Sequence, residues 1–171
     1  LTMLTLYCNS ILNQEPRHTQ YIQHNLICGS SSLSETDRQT LTQKGFVFDD
    51  QGDNISQLNK YFGDLTGLYY VWKNTNHEFV GTNQYRRFFE EEHINILTYD
   101  KDTFYVTNPF VFEESIYHQF ARWHGELPLV ILKDLADKKI IDLPFVDQLK
   151  QLTILTSCNM FFCHRELFDK L

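Results

Sequence analysis

The sequence predicts an α/β fold, a sandwich of helices around a mostly parallel central sheet. Three observations carry that expectation. Short apolar runs suited to strands alternate with stretches whose apolar residues recur every three or four positions. The 171 residues are 42% hydrophobic and 15% aromatic, enough for a sizeable core at a length usual for one domain. No internal repeat, low-complexity tract or Pro/Gly-rich linker interrupts them, so residues 1–171 read as a single domain.

Residues 3–8 and 21–28 are apolar-rich runs of strand length, the second ending at the Gly29-Ser30-Ser31-Ser32 turn. Ser34 followed by Asp37 resembles a capping pair, which starts a short helix over 34–44, closed by Gly45. Residues 46–48 form a brief buried strand running into Asp49-Asp50-Gln51-Gly52-Asp53. From Ser56, read as an N-cap, apolar residues fall at Leu58, Tyr61, Phe62, Leu65, Leu68, Tyr69 and Trp72, one face of an amphipathic helix ending at Asn74. Leu65, Tyr69 and Trp72 are expected in the core. A strand over 78–81 then leads into Asn83-Gln84-Tyr85-Arg86-Arg87, and another spans 103–107 before Asn108-Pro109. Helical spacing follows over 113–123, and over 127–137 with Pro128 in a first turn, where its missing N–H does no harm. A short helix over 145–152 and a buried strand over 158–163 complete the pattern. In sheets of this kind ligands bind at the carboxyl ends of strands, which singles out the loops 49–56 and 83–87.

The formal charge of −7 excludes a broad nucleic-acid surface, which needs a concentrated Lys/Arg stripe. The paired cations Arg86-Arg87 and Lys138-Lys139 suit a small anionic ligand better. No apolar run reaches the roughly 18–20 residues that span a bilayer, and residues 1–8 lack the features of a signal peptide. Cys8, Cys28, Cys158 and Cys163 form no CxxC pair and read as buried reduced thiols of a cytosolic protein. The seven histidines fall in no HxH or HxxH pattern, so a His/Cys metal site is unsupported. GxSxG, GxxxxGK[ST] and GxGxxG are all absent, which removes the common hydrolase, NTPase and dinucleotide-binding readings.

Two loops carry the chemistry that is left. In 49–56, Asp53 and Asn54 are placed to accept hydrogen bonds from ribose or sugar hydroxyls, and helix-start N–H groups to meet phosphate oxygens. The alternative is that Asp53 and Asn54 only shape a turn and Ser56 only caps a helix. In 83–87, two adjacent guanidiniums cannot both be buried unpaired, and one of them is suited to clamp a diphosphate. The alternative there is that both pair with Glu90, Glu91 and Glu92.

The order Gly52-Asp53-Asn54-Ile55-Ser56, Asn59, and Asp64-Leu65-Thr66-Gly67-Leu68-Tyr69-Tyr70-Val71-Trp72-Lys73-Asn74 resembles the central signature of the DUF4422 family. Gly81-Thr82-Asn83-Gln84-Tyr85-Arg86-Arg87-Phe88-Phe89 is similar to that family's Gly-x-x-His-Tyr-Arg-Arg-Tyr-Phe, with Gln84 in place of His. Cys158-Asn159-Met160-Phe161-Phe162 and Glu166-Leu167-Phe168 resemble its Asn-Met-Phe segment. The likeness runs from about Asp49 to the C-terminus. It implies a GT-A-like nucleotide-sugar-binding sandwich and a bacterial glycosyltransferase of capsular polysaccharide or lipopolysaccharide synthesis. A UDP-sugar donor, a lipid-linked or oligosaccharide acceptor and a place at the inner face of the membrane follow from the same resemblance. Hexopyranose and galactofuranose donors stay equally open.

The roles the resemblance implies are these. Asp53, Asn54, Asn59, Asp64 and Asn83 hold the donor nucleotide, Gln84 and Tyr85 meet the reacting sugar, and Arg86 and Arg87 hold the diphosphate. Asn159 meets donor sugar or acceptor. GT-A enzymes place an Asp-x-Asp metal motif after a strand, and here that position carries Asn83-Gln84-Tyr85-Arg86-Arg87 instead. A divalent cation, manganese or magnesium, is therefore unsupported by motif, and a catalytically inactive sugar-nucleotide or glycan-binding domain is the competing reading. Residues 165–171 read as a helix barely begun, so the fold is expected to continue past Leu171, and Leu1-Thr2 to stand ahead of the natural start at Met3.

Overall fold

The computed structural model describes residues 3–96, 99–156 and 159–171, without the side chains of His93, Asn95, Ile96, Pro128 and Leu143. Leu1, Thr2 and Cys158, and with Cys158 the expected start of the last strand, lie outside the described residues. In chain order the elements are β1 (Leu4–Ser10), β2 (Ile22–Ile27), α1 (Glu35–Gln43), β3 (Val47–Phe48), α2 (Asn59–Phe62), α3 (Leu65–Asn74), β4 (Phe79–Gln84) and α4 (Glu91–Ile96). Then come β5 (Phe104–Val106), β6 (Phe110–Val111), α5 (Ile116–His124), α6 (Leu127–Asp137), α7 (Leu143–Leu149), β7 (Ile154–Leu155), β8 (Phe161–His164) and α8 (Arg165–Phe168). The chain gathers into two compact units, Leu1–Thr107 with Cys158–Leu171, and Asn108–Ser157.

The first unit is built on a six-stranded sheet of order β3-β2-β1-β4-β8-β5. β1 pairs in parallel with β2 and β4, and β2 with β3, while β8 runs antiparallel to both β4 and β5. All seven residues of β1 are buried, as expected of a central strand covered on both faces. Side chains alternate between the faces. One face carries Tyr7, Leu26, Val80, Phe161 and Cys163, packed beneath Val71 of α3 and Phe168 of α8. The other carries Leu4, Leu6, Phe79 and Phe162, covered by Tyr21, Phe89, Ile94 and Tyr99. This is the α/β, mostly parallel architecture the sequence predicts. Burial pushes the Cys8 and Cys28 thiols up, and Cys163 to about 11, as befits inert packing groups.

Local signals for α1 hold in detail. The Ser34 hydroxyl accepts from the Asp37 N–H at 3.1 Å, and Gly45, at φ 82°, ends the helix. The expected single helix from Ser56 does not hold. A 3-10 turn over Ser56–Leu58 leads into α2, Gly63 at φ 56° breaks the chain, and α3 starts afresh. Ser56 does not cap the helix that follows it: its buried hydroxyl donates to the Asp49 carboxylate at 2.6 Å and accepts from the Ser31 N–H at 3.1 Å. Leu65 and Tyr69 are not core residues, whereas Trp72 is half-buried against the core. All three border an open apolar groove with Ile55, Leu68, Phe168 and Leu171, and Leu65 is 42% exposed.

At the amino end of the sheet the Tyr7 hydroxyl lies 3.1 Å from His77 Nε2, and the His77 ring stacks on His24 at 6.4 Å. Burial, then His24 and Arg165, hold the His77 imidazole below its ordinary value. A histidine depressed in the folded state costs nothing while neutral, and it removes stability as pH falls below the unfolded value of about 6.5. The denaturation midpoint should therefore drop between pH 7.5 and 5.5, and His77→Gln should flatten that drop. An unchanged slope in the variant would rule this histidine out as the source.

The second unit is a helical hairpin closed by a short ribbon. β6 and β7 pair antiparallel, Phe110 opposite Leu155, and Ile116 N–H donates to the Leu152 carbonyl at 2.8 Å. Ser115 caps α5 by accepting from the His118 N–H at 3.2 Å. Pro128 sits in the first turn of α6, as its sequence position foretells. The two-residue strands of the ribbon had no sequence signal of their own, being too short to show a period.

Candidate active site

The strand order places a reversal between β1 and β4. From β1 the chain builds outward through β2 and β3, then returns to lay β4 on the other side of β1. Loops leaving the carboxyl ends of those two strands diverge to opposite sides, and the crevice between them is where α/β sheets bind ligands. The register puts Asn9 opposite Gln84 there, and the Tyr85 N–H donates to the Asn9 carbonyl at 3.1 Å.

Three side chains from distant parts of the chain converge on this point. Gln84, the last residue of β4, donates from Nε2 to Asp64 Oδ2 at 2.7 Å. The Asn159 amide nitrogen lies 3.3 Å from each Asp64 oxygen. Asp64 stands at the head of α3, yet its side chain caps no helix N–H and is turned to the two amides. Asn159 itself holds φ 48°, a left-handed conformation that asparagine adopts more readily than most residues, and its carbonyl accepts from the Thr82 hydroxyl. The antiparallel β8 makes this meeting geometrically natural, because its amino end lies beside the carboxyl end of β4.

Beyond Gln84 the chain turns tightly, Gln84 and Arg87 exchanging both backbone hydrogen bonds at 3.0 Å. Tyr85, Arg86 and Arg87 lie on this turn, with the exposed Arg86 guanidinium 4.9 Å above the Tyr85 ring. Gln84, Tyr85, Arg86 and Arg87 thus stay together at the carboxyl end of β4, with Asp64 and Asn159 beside Gln84.

The strand runs through Gln84 instead of stopping at Gly81, and that separates Asn83 from its neighbour. Asn83 points to the opposite face, fully buried, donating to the Tyr21 hydroxyl at 3.0 Å and to Gln23 Oε1 at 2.8 Å. Asp53 and Asn54 also lie apart. The Asp53 N–H is held by Asn74 Oδ1 at 3.1 Å, and Asn74 is the last residue of α3, whereas Asp64 precedes its first. At 1.5 Å per residue those ends are about 15 Å apart. The Asn54 amide donates to the Asp50 and Gly52 carbonyls and accepts from the Ser56 N–H at 3.2 Å, shaping the turn. Asn59 donates to the Gly63 carbonyl at 2.7 Å and the Thr66 hydroxyl at 3.1 Å, bracing the break between α2 and α3.

Two polar features of this end of the sheet escaped sequence reading. Asp49, fully buried, accepts from the Gly29 and Ser30 N–H groups and from the hydroxyls of Ser30, Ser56 and Thr66. Burial works to raise this carboxyl, but donation from Ser56, Thr66, Gly29 and Ser30 outweighs it and holds the group below the ordinary carboxylate range. Asn9, 4% exposed, accepts from the Cys28 thiol at 3.5 Å and lines the crevice from β1. The available signal was Asn9-Ser10, a polar end on an otherwise apolar strand.

A divalent cation does not suit these donors. Magnesium and calcium sites gather carboxylates and carbonyls, whereas the crevice offers one carboxylate already bound to two amide donors, beside a turn bearing two guanidiniums. Among the described residues no group of three or more His, Cys, Asp or Glu side chains is arranged to hold a metal.

A family model described as "Domain of unknown function (DUF4422)" matches residues 17–171. Among solved structures, the fold resembles that of the bifunctional glycosyltransferase WbbM in its apo form, with a TM-score of 0.69 and 17% identity. The match covers 98% of this chain and 35% of that one, so the chain spans about a third of the solved protein's length. At that identity the likeness is one of fold. No curated protein matches the sequence.

Proposed function

The chain belongs to the DUF4422 family, and on that footing we propose that it acts as a glycosyltransferase domain of the hexosyltransferase type. It transfers a sugar, galactose or galactofuranose among the candidates, from a UDP-sugar to a lipid-linked or oligosaccharide acceptor in a growing bacterial surface polysaccharide. The observation that carries this reading is the convergence of Asp64, Gln84 and Asn159 beside the Tyr85-Arg86-Arg87 turn, at the reversal point of a sheet shared with a glycosyltransferase. Residues 1–171 serve as one glycosyltransferase domain in this reading, with Asn108–Ser157 as its second compact unit.

In the reaction the bond from the anomeric carbon to the diphosphate oxygen breaks as the acceptor oxygen bonds to that carbon and loses its proton. Negative charge grows on the departing nucleoside diphosphate. Arg86 and Arg87 supply the counter-charge, because fixed donors aimed at developing charge lower a barrier most effectively. Arg86→Ala should reduce turnover roughly 100-fold while leaving the melting temperature within a degree or two, since the side chain is exposed and removing one such donor typically costs 100–1,000-fold. Full turnover in the variant would remove Arg86 from this role.

Binding is tested first by thermal unfolding against UDP, GDP, CMP and UDP-sugars, with and without manganese. A ligand at 100 times its dissociation constant adds about 2.7 kcal/mol of stability. For a domain of this size that corresponds to a shift of roughly 5–10 °C. A nucleotide-selective shift with release of nucleoside diphosphate supports the transferase. A shift without release supports the competing reading, a catalytically inactive sugar-nucleotide or glycan-binding domain. A cooperative melt that no nucleotide moves overturns both.

The proposed setting is cytoplasmic, at the inner face of the bacterial membrane, with peripheral contact. No helix among the described residues is long and apolar enough to cross a bilayer. Peripheral contact is supported by the apolar side chains that α5 and α6 expose, Trp123 at 79% and Val130 at 60%.

A further inference from the structure

Beside the crevice between β1 and β4, the Asp64 carboxylate meets side chains from two other elements. A carboxylate offers about four acceptor positions. Gln84 occupies one on Oδ2, and the single Asn159 nitrogen straddles both oxygens at 3.3 Å, too long to saturate either. Asp64 and Gln84 are only partly buried and Asn159 is exposed, so the cluster is open to a ligand from solvent. Neither partner is a cation, so the carboxylate is oriented without being neutralised.

A half-buried carboxylate held in this way, with amide groups on its flanks, is complementary to neighbouring hydroxyls. Each hydroxyl of a vicinal diol can donate to one carboxylate oxygen, and the amide oxygens of Gln84 and Asn159 are acceptors on either side. An isolated phosphate would instead meet like charge at Asp64.

From this geometry we infer that Asp64 is a specificity-determining residue that recognises a vicinal diol of the bound sugar nucleotide, with Gln84 and Asn159 as positioning residues that aim its carboxylate. The inference rests on the donor-binding reading above and deepens it. It moves Gln84 from the reacting sugar to the support of Asp64, and it gives the crevice a chemistry separate from the diphosphate contact at Arg86. The diol belongs either to the ribose or to the transferred sugar, both of which carry one.

The test compares ligands that differ only in hydroxyls. Dissociation constants of UDP, 2′,3′-dideoxy-UDP, UDP-galactose and its 2,3-dideoxy analogue are measured for the wild type, Asp64→Ala and Asn159→Ala. A site built around hydroxyls discriminates strongly against ligands lacking them, so the wild type should prefer one diol-bearing ligand over its deoxy partner by roughly 100-fold. Asp64→Ala should reduce that ratio to near one by weakening only the diol-bearing ligand. Asn159→Ala, which leaves the carboxylate in place, should reduce it partway, to roughly tenfold. A ratio lost in the UDP pair places the diol on the ribose, and one lost only in the UDP-galactose pair places it on the transferred sugar. Equal weakening of diol and deoxy ligands, or a ratio that survives Asp64→Ala, overturns the inference and leaves the donor-binding reading standing. A wild type that binds none of the four overturns both. Should Asp64→Ala fail to fold, the partial loss in Asn159→Ala decides, and an unchanged ratio there overturns the proposal.

Discussion

Asp49→Ala should destabilise the first unit by about 3–5 kcal/mol, the range for removing one side of a buried, hydrogen-bonded charge network. The size follows from what stays behind. Five donors from Gly29, Ser30, Ser56 and Thr66 converge on this fully buried carboxylate, and Thr66 also reaches the Gly63 carbonyl at 3.1 Å. Deleting the acceptor strands buried N–H and O–H groups, each costing about 1–3 kcal/mol unless water enters. For a domain of this size the melting temperature should fall on the order of 10 °C. Differential scanning calorimetry checks it, and a fall of under about 2 °C would show that the network relaxes around the gap. The pH dependence carries its own signature. The Asp49 carboxyl is held below its unfolded value, so its contribution is complete above about pH 4 and is lost as pH falls through the folded value. The variant should lack that part of the acid-limb loss. The network also joins the end of β2, the end of β3 and α3, so the same substitution should loosen the crevice from one side.

Gly81→Val is the second large effect, and it acts through the backbone. Gly81 lies in the middle of β4, paired with Leu6 of β1 on one side and Phe162 of β8 on the other. A Cβ at Gly81 would land on the Phe161 carbonyl oxygen and within 2.5 Å of the Phe162 Cα and Cβ. Those atoms belong to the neighbouring strand and cannot rotate away, so β8 must shift or unpair. Ordinary core overpacking costs about 1–3 kcal/mol. Displacing a paired strand exceeds that, and the variant should be recovered largely as aggregate or melt well below the Asp49 variant. Where enough folds to assay, ligand binding should be lost too, because β8 carries Asn159 into the crevice. A Gly81→Val protein with a wild-type melting curve would contradict the antiparallel pairing of β8 with β4 itself.

The two substitutions mark the boundary of what residue patterns reveal. Apolar runs and their spacing disclosed most strands and α5 and α6, because strand and helix periods are local. The Ser34 cap and the Pro128 start were legible for the same reason: each signal and its partner lie within one turn. The break at Gly63 was not, because the apolar positions on its two sides fall in phase with a single helix. Only the positive φ of Gly63 and the bracing of its carbonyl by Asn59 separate α2 from α3. Leu65, Tyr69 and Trp72 keep a helical apolar stripe, yet that stripe borders an open groove, and spacing alone does not say what a stripe faces.

The site shows the same division. Sequence by itself determined the α/β class, the strand leading into Asn83-Gln84-Tyr85-Arg86-Arg87, the absence of an Asp-x-Asp there, and the family to which these motifs belong. It also marked Asp64, Gln84 and Asn159 one by one. That they meet is a product of the tertiary structure, since Asp64 and Asn159 are 95 residues apart and come together only when β8 pairs antiparallel to β4. The fold likewise sent Asn83 to one face and Gln84 to the other by carrying the strand three residues past Gly81, and it tied Asp53 to the far end of α3. Local periodicity and capping are written into neighbouring residues. The crevice depends on strand order, register and face, which arise from pairings between segments that no stretch of sequence contains.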